Sequence, residues 1–215
     1  MDNYSLIQKV IVYAIPILFA ITAHEAAHAY AAKRFGDATA YMMGRMTLNP
    51  FKHIDPFGTI LLPLLGLWMG GFIFGWAKPV PVNFSALRNL RVGMRWVALA
   101  GPLANFVMAL IWGLLFKFAV SIPTYFSEPL SLMSQAGVGL NISLMLLNLL
   151  PILPLDGGRV LESMLPPGVA WRYSRIEPYG LWIILGLLAT GILSAIMTPL
   201  VQMAQFLVYS LFNLV

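Results

Sequence analysis

Ala20-Ile21-Thr22-Ala23-His24-Glu25-Ala26-Ala27-His28-Ala29-Tyr30-Ala31-Ala32 places two histidines and a glutamate inside an otherwise apolar run. The run extends from about Ser5 to Ala32. Lys33-Arg34-Phe35-Gly36 then closes it with basic residues and a glycine suited to a helix stop. About 20 apolar residues cross a bilayer as a helix, so the segment reads as a transmembrane span. Within a span each ionisable group costs about 2.5 kcal/mol or more, and such groups are kept for a purpose. A lone histidine in a helix is ordinarily packed or solvated. Two histidines four residues apart share one helix face, one turn apart, and can reach a single ion. Glu25, next to the first of them, is suited to act as a general base on water.

The rest of the chain supports a membrane setting. Of 215 residues, 60% are hydrophobic and only 10% charged, against about a quarter charged in a soluble domain. Residues 179–215 carry no charge, and between Trp96 and Asp156 the only charges are Lys117 and Glu128. The polar stretches are too short for a soluble domain. The start, Met1-Asp2-Asn3, lacks the basic character of a signal peptide, so the first span is expected to be retained. There is no cysteine, which excludes disulfides, thiolate ligands and cysteine nucleophiles. The net charge of +5 fits cations flanking spans on the cytoplasmic side better than nucleic-acid binding.

The expected fold class is an all-α polytopic membrane protein. It has about five transmembrane helices plus a re-entrant hairpin and a short β element, in a single domain over residues 1–215. Core spans are expected at about 5–32, 96–120 and 130–156, a re-entrant piece at 59–84, and accessory spans within 179–215. The last region divides at Pro199 into segments from about Tyr179 to Met197 and Pro199 to Val215. Ser85 is expected to cap a short surface helix with Arg88, Arg91 and Arg95 on one face. Pro79 and Pro81, one residue apart, exclude a helix interior, so residues 76–83 read as an edge strand or loop.

A catalytic zinc takes three protein ligands and leaves a fourth position open. His53 is one candidate for the third ligand, in a turn-rich segment. Asp156 is the better one, because Pro151 and Pro154 end the span and Gly157-Gly158 allow close backbone approach. A simple turn aspartate is its alternative reading. Topology bears on the choice. Basic residues cluster in 31–58, 76–96 and 157–178. If Thr59–Gly75 crossed the membrane, the first two clusters would lie on opposite sides, against the positive-inside tendency. Asp156 would then emerge far from His28. If the segment turns back, all three clusters share one side and Asp156 can meet the histidines. His24 is nine residues before Lys33, so a site there lies about 13 Å below the cytoplasmic end of the helix.

These residues resemble the site-2 protease family of intramembrane zinc metalloproteases. The resemblance rests on His24-Glu25-Ala26-Ala27-His28, on Gly101-Pro102-Leu103-Ala104-Asn105, and on Asn148-Leu149-Leu150-Pro151 leading to Leu155-Asp156-Gly157-Gly158. It implies one zinc ion per chain, held by His24, His28 and Asp156, with Glu25 activating the water. It further implies a re-entrant β element between the first and third segments, and a role for Asn105 and Asn148 in substrate handling. With no room for a PDZ or CBS domain, the chain looks like a minimal form. The implied function is hydrolysis of peptide bonds in or near transmembrane segments, in the cell membrane, with the active site near the cytoplasmic side. The partners are a transmembrane protein or peptide substrate and the lipid bilayer, and no nucleic acid. The alternatives are a membrane metal transporter, whose ligands would sit on several crossing helices, and a non-proteolytic binder of transmembrane segments, which has no use for a buried base.

Overall fold

The computed structural model of the chain describes residues 6–55, 58, 61, 78–122 and 124–214. Helix α1, Leu6–Phe35, holds the first apolar run. It stops where expected, because Gly36 adopts φ 117°, a left-handed value open to glycine. A four-residue helix α2, Thr39–Met42, follows, and then single 3₁₀ turns at Pro50–Lys52 and Phe84–Ala86. The long helices α3, Leu90–Ala119, and α4, Thr124–Asn148, form the centre. Two short helices come next, α5, Asp156–Met164, and α6, Pro167–Ser174. The chain closes with α7, Gly180–Ala189, and α8, Ile192–Leu211.

Among the described residues, four helices are long and apolar enough to cross a bilayer: Val10–Phe35 of α1, Leu90–Ala119, Tyr125–Asn148 and Ile192–Leu211. They leave bulky apolar side chains uncovered, among them Phe19, Phe106, Ile111, Phe118 and Phe206. A lipid-facing surface explains so many, since water would not tolerate such a belt. Inside the bundle α3 packs against both α1 and α4, and α4 also meets α8. Ala109, Trp112, Val138, Ile142 and Val208 form the core where α3, α4 and α8 meet. Gly137 lets α4 approach, for a Cβ there would collide with the Trp112 ring. In lipid, close contact through small residues is what holds helices together.

Three expectations change. The break in the last region falls at Gly191, φ 75°, and not at Pro199, which sits inside α8. That leaves α7 with ten residues, about 15 Å of helix, half the hydrocarbon thickness. Among the described residues four long helices are found, so the expected count of about five spans is not confirmed. The surface helix capped by Ser85 is absent as well. Asn89 caps α3 through Val92 N–H at 3.1 Å, so Arg91 and Arg95 belong to the first turns of a spanning helix. Finally, no strand forms among the described residues. Residues 78–83 are irregular, and the expected hairpin at 59–75 lies almost wholly outside the described residues.

Residues 78–83 nevertheless have a defined place. The Arg45 guanidinium donates to Lys78 C=O at 2.9 Å, and Lys78 N–H donates to His53 C=O at 3.0 Å. Asp37, almost wholly buried, accepts from Asn83 N–H at 2.7 Å and from the Thr39 N–H and hydroxyl. Arg88 N–H donates to Phe35 C=O at 3.0 Å, so the end of α1 and the start of α3 lie side by side.

Asp37 makes this anchoring pH-sensitive. Burial acts to raise its carboxyl, but the hydrogen bonds from Thr39 and Asn83 outweigh it and hold the group below the ordinary carboxylate range. A depressed folded value means that the stabilisation is complete above the unfolded value, about 3.9. It is lost as pH falls through the lower folded value. Detergent-solubilised Asp37→Asn is therefore expected to unfold at a lower temperature than wild type at neutral pH, with the gap closing under acid. A gap that stays constant down to pH 3 would remove Asp37 from this role.

Candidate metal centre

Helix α1 delivers the first part of the site by its period alone. His24 and His28 point from one face toward α3, and their Nε2 atoms are 3.0 Å apart. Asp156 opens α5, beyond the turn that ends α4. Its Oδ2 lies 3.2 Å from His24 Nε2 and 3.4 Å from His28 Nε2. The turn is wound tightly enough that glycine is needed behind the aspartate. A Cβ on Gly157 would overlap the carbonyls of Leu149 and Leu150, and one on Gly180 that of Leu153. The polar contact of Arg95 Nε with Ser163 Oγ at 3.3 Å ties α5 to α3. Arg159 bridges Glu162 at 3.1 Å and also pairs with Glu177.

The far side of each imidazole is already occupied. His24 Nδ1 meets Asn105 Oδ1 at 2.6 Å, and His28 Nδ1 meets Val97 C=O at 2.7 Å. Both partners are acceptors, so both Nδ1 atoms carry the proton. In the neutral rings both Nε2 atoms are then bare acceptors, and they face each other and a carboxylate oxygen that has no hydrogen-bond partner. With both rings neutral, three lone pairs converge with no proton between them, and a bound cation satisfies all three at once. Ligands about 2.0–2.1 Å from a tetrahedral zinc lie about 3.3 Å from one another, close to the spacings found. Nitrogen, nitrogen and oxygen donors are also the set that zinc accepts. Among the described residues, His24, His28 and Asp156 are the group able to hold a metal ion.

Other candidates fall elsewhere. His53 is buried outside this group, its Nε2 bonded to Thr47 C=O at 2.9 Å. Asn148 donates to Leu144 C=O of its own helix at 3.0 Å. Asn105 is wholly buried behind His24, its amide engaged by His24, Ala20 C=O and Asn141. Glu25 accepts Val80 N–H through Oε2 at 2.7 Å. Sequence reasoning missed two groups here. The Val80 donor is backbone and leaves no mark in the sequence. Gly101 stands in a quoted motif, but only the fold shows why: a Cβ there would run into both imidazole rings.

A multi-pass helical protein with a His₂–Asp cluster inside its bundle, beside a half-buried glutamate, has the makings of a membrane-embedded metallohydrolase. Comparison with known proteins agrees. The family model for peptidase family M50 matches residues 12–136 and 121–176, and the chain belongs to that family, the site-2 type of zinc metalloprotease. It is 38% identical over 203 residues to "Putative zinc metalloprotease YwhC" of Bacillus subtilis, covering 93% of this chain and 90% of that one. It is 32% identical over 182 residues to "Putative zinc metalloprotease Rip2" of Mycolicibacterium smegmatis, covering 82% of this chain and 66% of that one. With Rip2 of Mycobacterium tuberculosis the identity is 33% over 157 residues, 70% and 56% of the two chains. No solved structure gives a significant match.

Proposed function

We propose that His24, His28 and Asp156 hold one zinc ion and that Glu25 is the general base in cleavage of peptide bonds within or near transmembrane segments. The observation that carries this is the convergence of two bare imidazole nitrogens and an unpartnered carboxylate oxygen inside a membrane helix bundle. Zinc, when bound, polarises the scissile carbonyl and makes water acidic near neutral pH. Glu25 accepts the proton from the attacking water and returns it to the departing amine. Val80 N–H holds one oxygen of that carboxylate, leaving the other for the transfer. A helical substrate hides its carbonyls in i to i−4 bonds and has to unwind first. The non-helical segment 78–83, laid beside Glu25, offers backbone groups that can pair with an unwound strand.

The same reading sets the topology. The adjacency of Phe35 and Arg88 supports a Thr59–Gly75 segment that enters and leaves the membrane on one side. With the flanking arginines and lysines, that side is the cytoplasmic one in the cell membrane. Because the chain has no cysteine, single cysteines at Gly58 and Gly75 report it directly. Both should label from the same face, and opposite faces would end the re-entrant reading.

Zinc content tests the ligand set. Purified wild type is expected to carry one zinc per chain, as is His53→Ala. Asp156→Ala, left with two imidazoles, is expected to lose the ion on dialysis against a mild chelator. Zinc retained by Asp156→Ala and lost from His53→Ala would reverse the assignment.

A further inference from the structure

Behind the site runs a row of buried amides that no step above uses. Asn105, on α3, and Asn141, on α4, are both fully buried among apolar helices. Polar side chains at such depth persist when every group is satisfied. Here each amide has one orientation that satisfies it. Asn141 Nδ2 donates to Gly137 C=O at 2.8 Å, which turns Asn141 Oδ1 toward α3. That oxygen accepts from Asn105 Nδ2 at 3.1 Å, and Ala20 C=O accepts from the same nitrogen at 3.1 Å. Two acceptors on one side of Asn105 leave its Oδ1 facing His24 Nδ1. Turned over, Asn105 would set its oxygen against two oxygens and its NH₂ against His24 Nδ1. The ring would then take the other tautomer, with the proton on the Nε2 that faces Asp156.

We propose that Asn141 is a positioning residue for the metal centre: through Asn105 it locks His24 in the Nδ1–H tautomer and so keeps Nε2 open as a ligand. This rests on the zinc-site reading for its consequence, but not for the tautomer itself. The row spans three helices, from α4 through α3 to α1, so the ligand is set by the packing of the bundle. Outer partners of this kind usually change metal affinity by about 10–100-fold when removed. Asn141 touches neither the ion's position nor Glu25 and acts only through Asn105.

Two measurements on the 215-residue chain in detergent test this. The first uses ¹⁵N-histidine labelling, which gives three imidazoles. In metal-free wild type the His24 Nδ1 signal is expected to be that of a protonated nitrogen. In Asn141→Leu, where Ala20 C=O alone is left to orient the Asn105 amide, a part of the signal should move to that of unprotonated Nδ1. The absence of that move would overturn the proposal, whether or not zinc is the resident ion. The second is zinc affinity by chelator competition. Asn141→Leu is expected to bind about tenfold more weakly, and Asn105→Leu 10–100-fold more weakly. The double variant should be no weaker than Asn105→Leu alone, because Asn141 has no other route to His24. Losses that multiply would show independent packing damage and overturn the relay.

Asn141→Asp guards against a simple folding defect. As a neutral acid, favoured by apolar burial, it still donates to Gly137 C=O and accepts from Asn105. It should restore affinity to within a few-fold of wild type, and failure to do so counts against the relay. Zinc binding by wild type and its loss in His24→Ala check the metal reading separately.

Discussion

Glu25→Gln is expected to bind one zinc ion per chain and to lose cleavage by about 10²–10⁴-fold. The amide is nearly the same size as the carboxylate and can still accept Val80 N–H through its oxygen. The bundle and the strap at 78–83 should therefore stay in place. What disappears is the group able to take a proton. Glu25 is not among the three converging ligand atoms, so metal content should not change. Membrane fragments from cells expressing each form provide the readout. Equal fragment patterns, with one zinc in both, would leave only a non-proteolytic role. Fragments lost together with the zinc would instead make Glu25 a ligand.

Gly101→Ala is expected to abolish the metal centre outright. The added methyl would lie within contact of His24 Nε2 and Cε1 and of His28 Nε2, the atoms aimed at Asp156. Neither ring can yield easily, because Asn105 and Val97 hold each from behind. Overpacking of this kind costs about 1–3 kcal/mol where a core can shift. Here the cheapest shift is to turn the histidines away from the ion. Zinc affinity should fall by more than 100-fold, and activity should fall to that of the metal-free protein. Helix content should be preserved, since alanine is the better helix former. Gly168→Ala is the matching control: its Cβ would meet nothing, and both zinc binding and cleavage should be unchanged. Full zinc occupancy in Gly101→Ala would show that α3 sits farther from α1 than described.

The order of the motifs was legible along the chain because each answers to a local rule. The i, i+4 spacing of His24 and His28 places two imidazoles on one face wherever helix α1 forms. The apolar runs and Gly36 announce that helix and its end. The charge clusters bring Asp156 to the same side as the histidines, given a turn-back near 59–75. Local rules failed where two signals competed. Pro199 looked like a helix break and Gly191 did not, yet a proline can be carried inside a spanning helix whose freed backbone groups are met by neighbours. Ser85 and Asn89 are both capping residues, and Asn89 won because Arg88 is tied back to Phe35.

Composition and spacing alone thus determine a membrane protein with paired imidazoles, an adjacent glutamate and an aspartate on a broken helix. They do so because hydrophobic length and helical period are properties of contiguous residues. Only the tertiary structure decides which group faces each histidine's Nδ1, that Gly101 yields the space in which the two imidazoles and Asp156 converge, and that Val80 holds Glu25. Those facts depend on atoms 55 to 85 residues apart in sequence, brought together when α3 packs on α1, and no local pattern of residue types encodes them.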